Sequence, residues 1–100
     1  MTRHASDHTI EVSVKVFGGL RDAFGQGEMQ LRIPSDATLS ALFEQLATSR
    51  PAETAKLVEG IDAGYLNVLV NGRNVHFLDG RDTRLSDHDS VAVLPPIGGG

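Results

Sequence analysis

The amino-acid sequence predicts an α+β fold, a mixed sheet of about five strands packed on one main helix. Three observations carry this. Apolar residues alternate with polar ones at Ile10, Val12, Val14 and Val16, and again at Met29, Leu31 and Ile33. Between that pair and a later set of strands, Leu39, Leu42, Phe43 and Leu46 recur at helical spacing. The later set is marked by Leu66, Val68 and Val70 running into Asn71-Gly72, and by the apolar stretch that ends at Leu94.

Each element has its own justification. Side chains on a strand point alternately to opposite faces, so the first two runs read as half-buried strands of a hairpin joined by the long connection Gly18 to Gly27. Pro34 ends the second strand because it has no N–H to donate to a ladder. Ser35, Asp36 and Thr38 then offer capping oxygens to a helix with one apolar face. From Ser49 to Gly64 the periodicity weakens. Pro51 can open a short helix carrying Ala55, Leu57 and Val58, with Gly60 at its end, and the whole stretch reads as a connecting excursion. Asn71-Gly72 is a strong two-residue hairpin signal, after which the chain returns through Val75 and Phe77. A polar stretch from Asp79 to Asp89, broken by Leu85, leads to a last strand from Ser90 to Leu94.

Composition narrows the function classes. At 100 residues, with 40% apolar and 22% charged residues, the chain has material for one core. With no Cys it has no disulfide framework, thiolate metal site or cysteine nucleophile of its own. A formal net charge of −4 argues against electrostatic binding of nucleic acid. No apolar stretch approaches the ~20 residues of a membrane span, and Met1 to Thr9 has no signal-peptide core, so a cytoplasmic protein is expected.

The chain ends VLPPIGGG. Ordering a glycine costs more backbone entropy than ordering any other residue, and these glycines have no side chains to bury in return. Pro95 and Pro96 favour extended geometry and would hold such a tail away from the sheet. Taken with the hairpin, the helix, the later Asn-Gly turn and the closing strand, this ending resembles the MoaD/ThiS family of small ubiquitin-like sulfur carriers, which have the β-grasp fold. The most specific part is DHDSVAVLPPIGGG, from Asp87 to Gly100, with LNVLVNGRNVHFLDG and VFGGLRDAFG as supporting matches. The paired prolines are more similar to molybdopterin synthase small subunits than to thiamine carriers. The chain departs from the family in ending on three glycines rather than the usual two, and in the excursion from Ser49 to Gly64.

The resemblance implies a chemistry. The terminal carboxylate, on Gly100 or on Gly99 if the end is trimmed, would be adenylated by a ubiquitin-activating-like adenylyltransferase of the MoeB/ThiF kind. ATP would bind that partner, and this chain would hold no cofactor. A persulfide donor would then convert the acyl adenylate to a thiocarboxylate, and the sulfur would pass to an acceptor such as a dithiolene precursor on a MoaE-like molybdopterin synthase large subunit. In this role the chain is a carrier and co-substrate without a catalytic residue. Gly98, Gly99 and Gly100 would thread a narrow channel, and Phe17, Arg21, Phe77, Leu94, Pro96 and Ile97 would meet the partner. Alternative roles are sulfur delivery for cysteine or thiamine synthesis, protein modification through the glycine end, and an interaction module that is never activated.

Other residues have plainer readings. Apolar strand residues are core more often than interface, so at least one of Phe17, Phe77 and Leu94 is expected to be core. Gly18, Gly19, Gly25 and Gly27 precede no Lys-Ser/Thr pair and read as turn residues, not a phosphate loop. His4 and His8 stand at i, i+4 but in a polar end segment, and His88 lies between Asp87 and Asp89 in an expected turn, so no metal site is expected. Asp79, Asp82, Asp87 and Asp89 suit local turn hydrogen bonding. The division expected is a disordered segment over 1–9, a folded domain over 10–97 and a flexible tail over 98–100.

Overall fold

The computed structural model describes residues 8–95. The elements run β1 (Thr9–Val16), α1 (Gly19–Phe24), β2 (Glu28–Pro34), α2 (Leu39–Ser49), α3 (Pro51–Asp62), β3 (Asn67–Val70), β4 (Arg73–Asn74) and β5 (Ser90–Leu94). The strands form one sheet in the order β2-β1-β5-β3-β4. β1 and β5 are parallel, and all other neighbours are antiparallel. The last strand therefore sits in the middle of the sheet.

Strand alternation sorts the two faces. Val12, Val14, Val16, Ile33, Val68, Val91 and Val93 point to one side, where Leu39, Leu42, Phe43 and Leu46 of α2 and Leu57 of α3 close the core. The other face is left to Glu11, Ser13, Lys15, Ala92, Leu94, Asn67 and Leu69. Register there is set in part by charge: Glu11 stands opposite Arg32, and Lys15 opposite Glu28.

Four sequence expectations change. The connection from Gly18 to Gly27 contains α1, which exists to drop Phe24 into the core. The Arg50 guanidinium lies 6.0 Å from the centroid of that ring and donates to the Phe24 carbonyl at 2.6 Å. The excursion is a full 12-residue helix that continues past Gly60, so two long helices cover the sheet where one was expected. The chain does not return along the sheet as far as Phe77. β4 stops at Asn74, whose side-chain oxygen accepts from the His76 amide at 2.9 Å and starts a 3-10 turn over Val75–Phe77. Finally, β1 begins at Thr9, and the His8 carbonyl accepts from the Ser35 amide at 3.1 Å, so the ordered chain reaches into the segment expected to be disordered. Met1 to Asp7 lie outside the described residues, as do Pro96, Ile97 and the glycines.

Turn chemistry behaves as the sequence indicates. Thr38 caps α2 by accepting from the Ala41 amide at 3.3 Å. Asn71 and Gly72 both take positive φ, 52° and 84°, as a two-residue hairpin of this hand requires. At the start of β5 the aspartates do more than the local turn bonding expected of them: most of their bonds reach distant elements. Asp87 Oδ1 accepts from the Glu11 amide at 2.8 Å. Asp89 accepts from the Asn71 side-chain amide and from the Ser86 amide, both at 2.8 Å, while the Ser90 amide donates to Asn71 Oδ1 at 2.9 Å. This cluster ties β1, the β3–β4 turn and β5 together. Asp89→Ala is expected to cost about 1 kcal/mol, because the two donors it releases are exposed and regain water. Denaturant titration should show a lower midpoint at unchanged slope, and an unchanged midpoint would show that the cluster adds nothing to stability.

Candidate functional site

The site is the end of the sheet from which the C-terminal residues depart. β5 is held by ladders on both sides, Val91 and Val93 are wholly buried, and so the root of the tail is anchored at the middle of the sheet rather than at an edge. Val16 pairs with Val93 and Asn67 with Leu94. One step beyond Val16 and Val93, Phe17 and Leu94 fall on the outer face by the same alternation that turns their neighbours inward. β4 runs in the same direction as β5 but stops at Asn74, and Phe77 follows on the 3-10 turn after it.

The expectation that one of these three is core is overturned. Phe17 is 44% exposed, Phe77 is 83% exposed, and Leu94 is half-buried on the outer face. The cause is local. Val16 and Val93 fill the inward positions, which leaves Phe17 and Leu94 the outward ones. The 3-10 turn takes Phe77 off the strand period, so that Val75 points in and Phe77 out.

Arg21 joins this end through α1. It is exposed, and its side chain lies across Gly27, where a Cβ would stand 3.4 Å from Nε. With Lys15, Val16, Phe17, Gly27 and Glu28 it lines a shallow hollow of about 330 Å³. The structure thus brings Arg21 and Phe17 together on one hollow, with Leu94 one step along from the Val16–Val93 pair, while Phe77 stands apart on the turn after β4. Pro96, Ile97, Gly98, Gly99 and Gly100 lie outside the described residues.

Tyr65, 71% exposed, is a further large apolar side chain at this end. It stands two residues before Asn67, the partner of Leu94. The sequence passed over it because it falls where the periodicity of the excursion fails. An isolated aromatic directly after Gly64, between a helix stop and a strand, is the signal that marks it.

The arrangement is one of presentation. Among the described residues no group of three or more His, Asp or Glu side chains is placed to hold a metal ion, and no helix is long and apolar enough to cross a membrane. What the fold offers is an anchored strand end with Leu94 half-buried on its outer face and the exposed aromatic Phe17 beside it.

Known proteins resemble this chain over nearly its whole length. The model of the ThiS family matches residues 14–100. Small archaeal modifier protein 3 of Haloferax volcanii is 36% identical over 92 residues, covering 91% of this chain and 100% of the relative. Sulfur carrier protein CysO of Mycobacterium tuberculosis is 31% identical over 95 residues, covering 91% and 100%. Among solved structures, small archaeal modifier protein 1 from Methanosarcina acetivorans superposes with a TM-score of 0.73 at 33% identity, covering 93% of this chain and 99% of that one. The five-stranded mixed sheet with helices on one face is accordingly a ubiquitin-like β-grasp fold, and the chain belongs to the ThiS/MoaD family of ubiquitin-like sulfur carriers.

Proposed function

We propose that this protein carries sulfur on the carboxylate of Gly100. The observation that carries the reading is that the chain leaves the central strand β5 only three residues before the glycines, at the end of the sheet where Phe17 is exposed and Leu94 half-buried on the outer face. A carboxylate is a poor electrophile, so the first step is activation. A carboxylate oxygen attacks the α-phosphorus of ATP held by a ubiquitin-activating-like adenylyltransferase, and pyrophosphate leaves. The terminal sulfur of a protein persulfide then attacks the acyl carbon and expels AMP, forming an acyl disulfide. A second thiol attacks that disulfide and releases the thiocarboxylate, leaving a disulfide on the donor side. This chain supplies no catalytic group to these steps. It supplies a terminus that passes through a narrow channel and a body that the partner recognises.

For the acceptor, we favour a dithiolene precursor on a molybdopterin synthase large subunit. Pro95-Pro96 supports this, as does similarity to the putative molybdopterin converting factor subunit 1 from Pyrococcus furiosus, at 29% identity and a TM-score of 0.68. A second reading, transfer of the glycine end to protein lysines, is favoured by the 36% identity to an archaeal modifier protein. Intact mass after incubation with the cognate adenylyltransferase, ATP and a persulfide donor tests the shared chemistry. The expected gain is the difference between one sulfur and one oxygen. A chain that never exchanges oxygen for sulfur is the interaction module instead.

Leu94→Asp separates surface from fold. On the outer face the new carboxylate remains in contact with water, so the loss of stability is expected to be about 1 kcal/mol or less. Binding to the adenylyltransferase should weaken roughly tenfold or more, as for a charge placed in an apolar contact. Titration calorimetry beside thermal melts reads both. A large fall in the melting midpoint would make Leu94 a core residue.

A further inference from the structure

We infer that Tyr65 is a recognition residue for the adenylyltransferase, an inference that rests on the carrier reading above. Tyr65 is both exposed and fixed in place. The helix before it ends at Asp62, Gly64 follows at φ 85°, and the Gly60 carbonyl accepts from the Tyr65 amide at 2.8 Å and from the Leu66 amide at 3.1 Å. Leu66 then packs on the bare face of Gly60, where a Cβ would meet Leu66 Cδ1 at 2.6 Å. Backbone and neighbour are both held, while the tyrosine ring is 71% exposed. Nothing inside the described fold uses it.

The occupant follows from reach. Asn67 pairs with Leu94, and Tyr65 is two residues upstream, so the Tyr65 and Leu94 Cα atoms lie within about 13 Å of one another. The five residues from Pro96 to Gly100 extend at most roughly 18 Å. An enzyme that takes the Gly100 carboxylate to a buried phosphate must bring its body down over this end of the sheet, and Tyr65 stands there. The glycines have no side chains by which one carrier can be told from another. Discrimination by the enzyme that meets the uncharged chain must therefore come from side chains around the tail root. An aromatic on a held backbone is well suited to this, because it offers large contact area with only two side-chain torsions to fix.

The test is ATP–pyrophosphate exchange by the cognate adenylyltransferase, with the full 100-residue chain as substrate, comparing wild type, Tyr65→Ala and Tyr65→Phe. Tyr65→Ala is expected to raise the KM for the carrier ~10-fold with kcat nearly unchanged, at an unaltered melting midpoint. Tyr65→Phe should restore most of the loss, since the ring makes the contact. An active wild type with an equally good Tyr65→Ala overturns the inference and leaves the carrier reading standing. An inactive wild type overturns both. Sedimentation of wild type as a dimer and of Tyr65→Ala as a monomer would make the occupant a second copy and overturn the inference, as would a defect confined to sulfur transfer from the charged chain.

Discussion

Removal of Gly99 and Gly100 is expected to abolish adenylation and sulfur loading while leaving the melting midpoint unchanged. Every buried apolar residue of the described core lies between Ile10 and Val93, and β5 closes its ladders at Leu94. The deleted residues are beyond that, so the deletion takes no residue from the described core, and terminal residues outside a core usually add little to stability. Chemically the loss is complete, because the shortened terminus no longer extends to the ATP α-phosphorus. Gly99→Ala should act in the same direction, since a methyl group obstructs a channel shaped for bare backbone and removes conformations open to glycine. Deleting Gly100 alone is the sharper experiment. It leaves the two-glycine ending usual in the family, and if this form is charged while the full chain is inert, Gly99 is the reacting residue and Gly100 an extension to be trimmed. Pyrophosphate exchange, intact mass and a thermal melt read all three variants. A fall of several degrees on deletion would mean that the tail is part of the fold.

The fold was legible wherever one physical rule governed a whole element. Alternation placed β1, β2 and β5, helical spacing with Thr38 placed α2, and Asn71-Gly72 placed the turn after β3. Legibility failed where the decisive contact is distant in sequence. Gly60 looks like a helix stop from its neighbours alone, yet it is internal to α3, and it is glycine because Leu66 packs against it. The helix ends instead at Asp62, with Ala63 as its C-cap and Gly64 just beyond at φ 85°. α1 is too short for periodicity to show, and its purpose is visible only once Phe24 is seen in the core beneath Arg50. The site was legible in part for the same reason. Phe17 and Leu94 carried a sequence signal but not a side, because the choice of face depends on which neighbours are buried. Tyr65 carried only the weak signal of a lone aromatic after Gly64, since its place at the Leu94 end of the sheet depends on the pairing of β3 with β5.

Leu57→Ala is expected to cost about 3–4 kcal/mol, a large part of the stability of a domain this size. The substitution tests whether α3 is a structural helix or the loose excursion its sequence resembles. Leu57 is wholly buried and belongs to the same core cluster as Leu42, Leu46 and Val14, so truncation leaves a cavity between α3 and the rest of the core. Were the segment only a surface connection, the same change would fall within about 0.5 kcal/mol of wild type. One turn earlier on the same helix stands a control of opposite sign. Thr54 is 3% exposed and its hydroxyl has no hydrogen-bond partner, on the wall of an apolar slot between α2 and α3 lined also by Phe43, Ala47 and Val58. A buried hydroxyl without a partner forfeits its hydration for nothing, so Thr54→Val, which keeps the shape, should be neutral or stabilising by about 1 kcal/mol. Denaturant titration of both variants separates the packing of α3 from its mere presence. If Leu57→Ala unfolds at the wild-type midpoint, α3 is not part of the core. If Thr54→Val falls well below wild type, the hydroxyl has a partner in solution, and the slot between the two helices is wet.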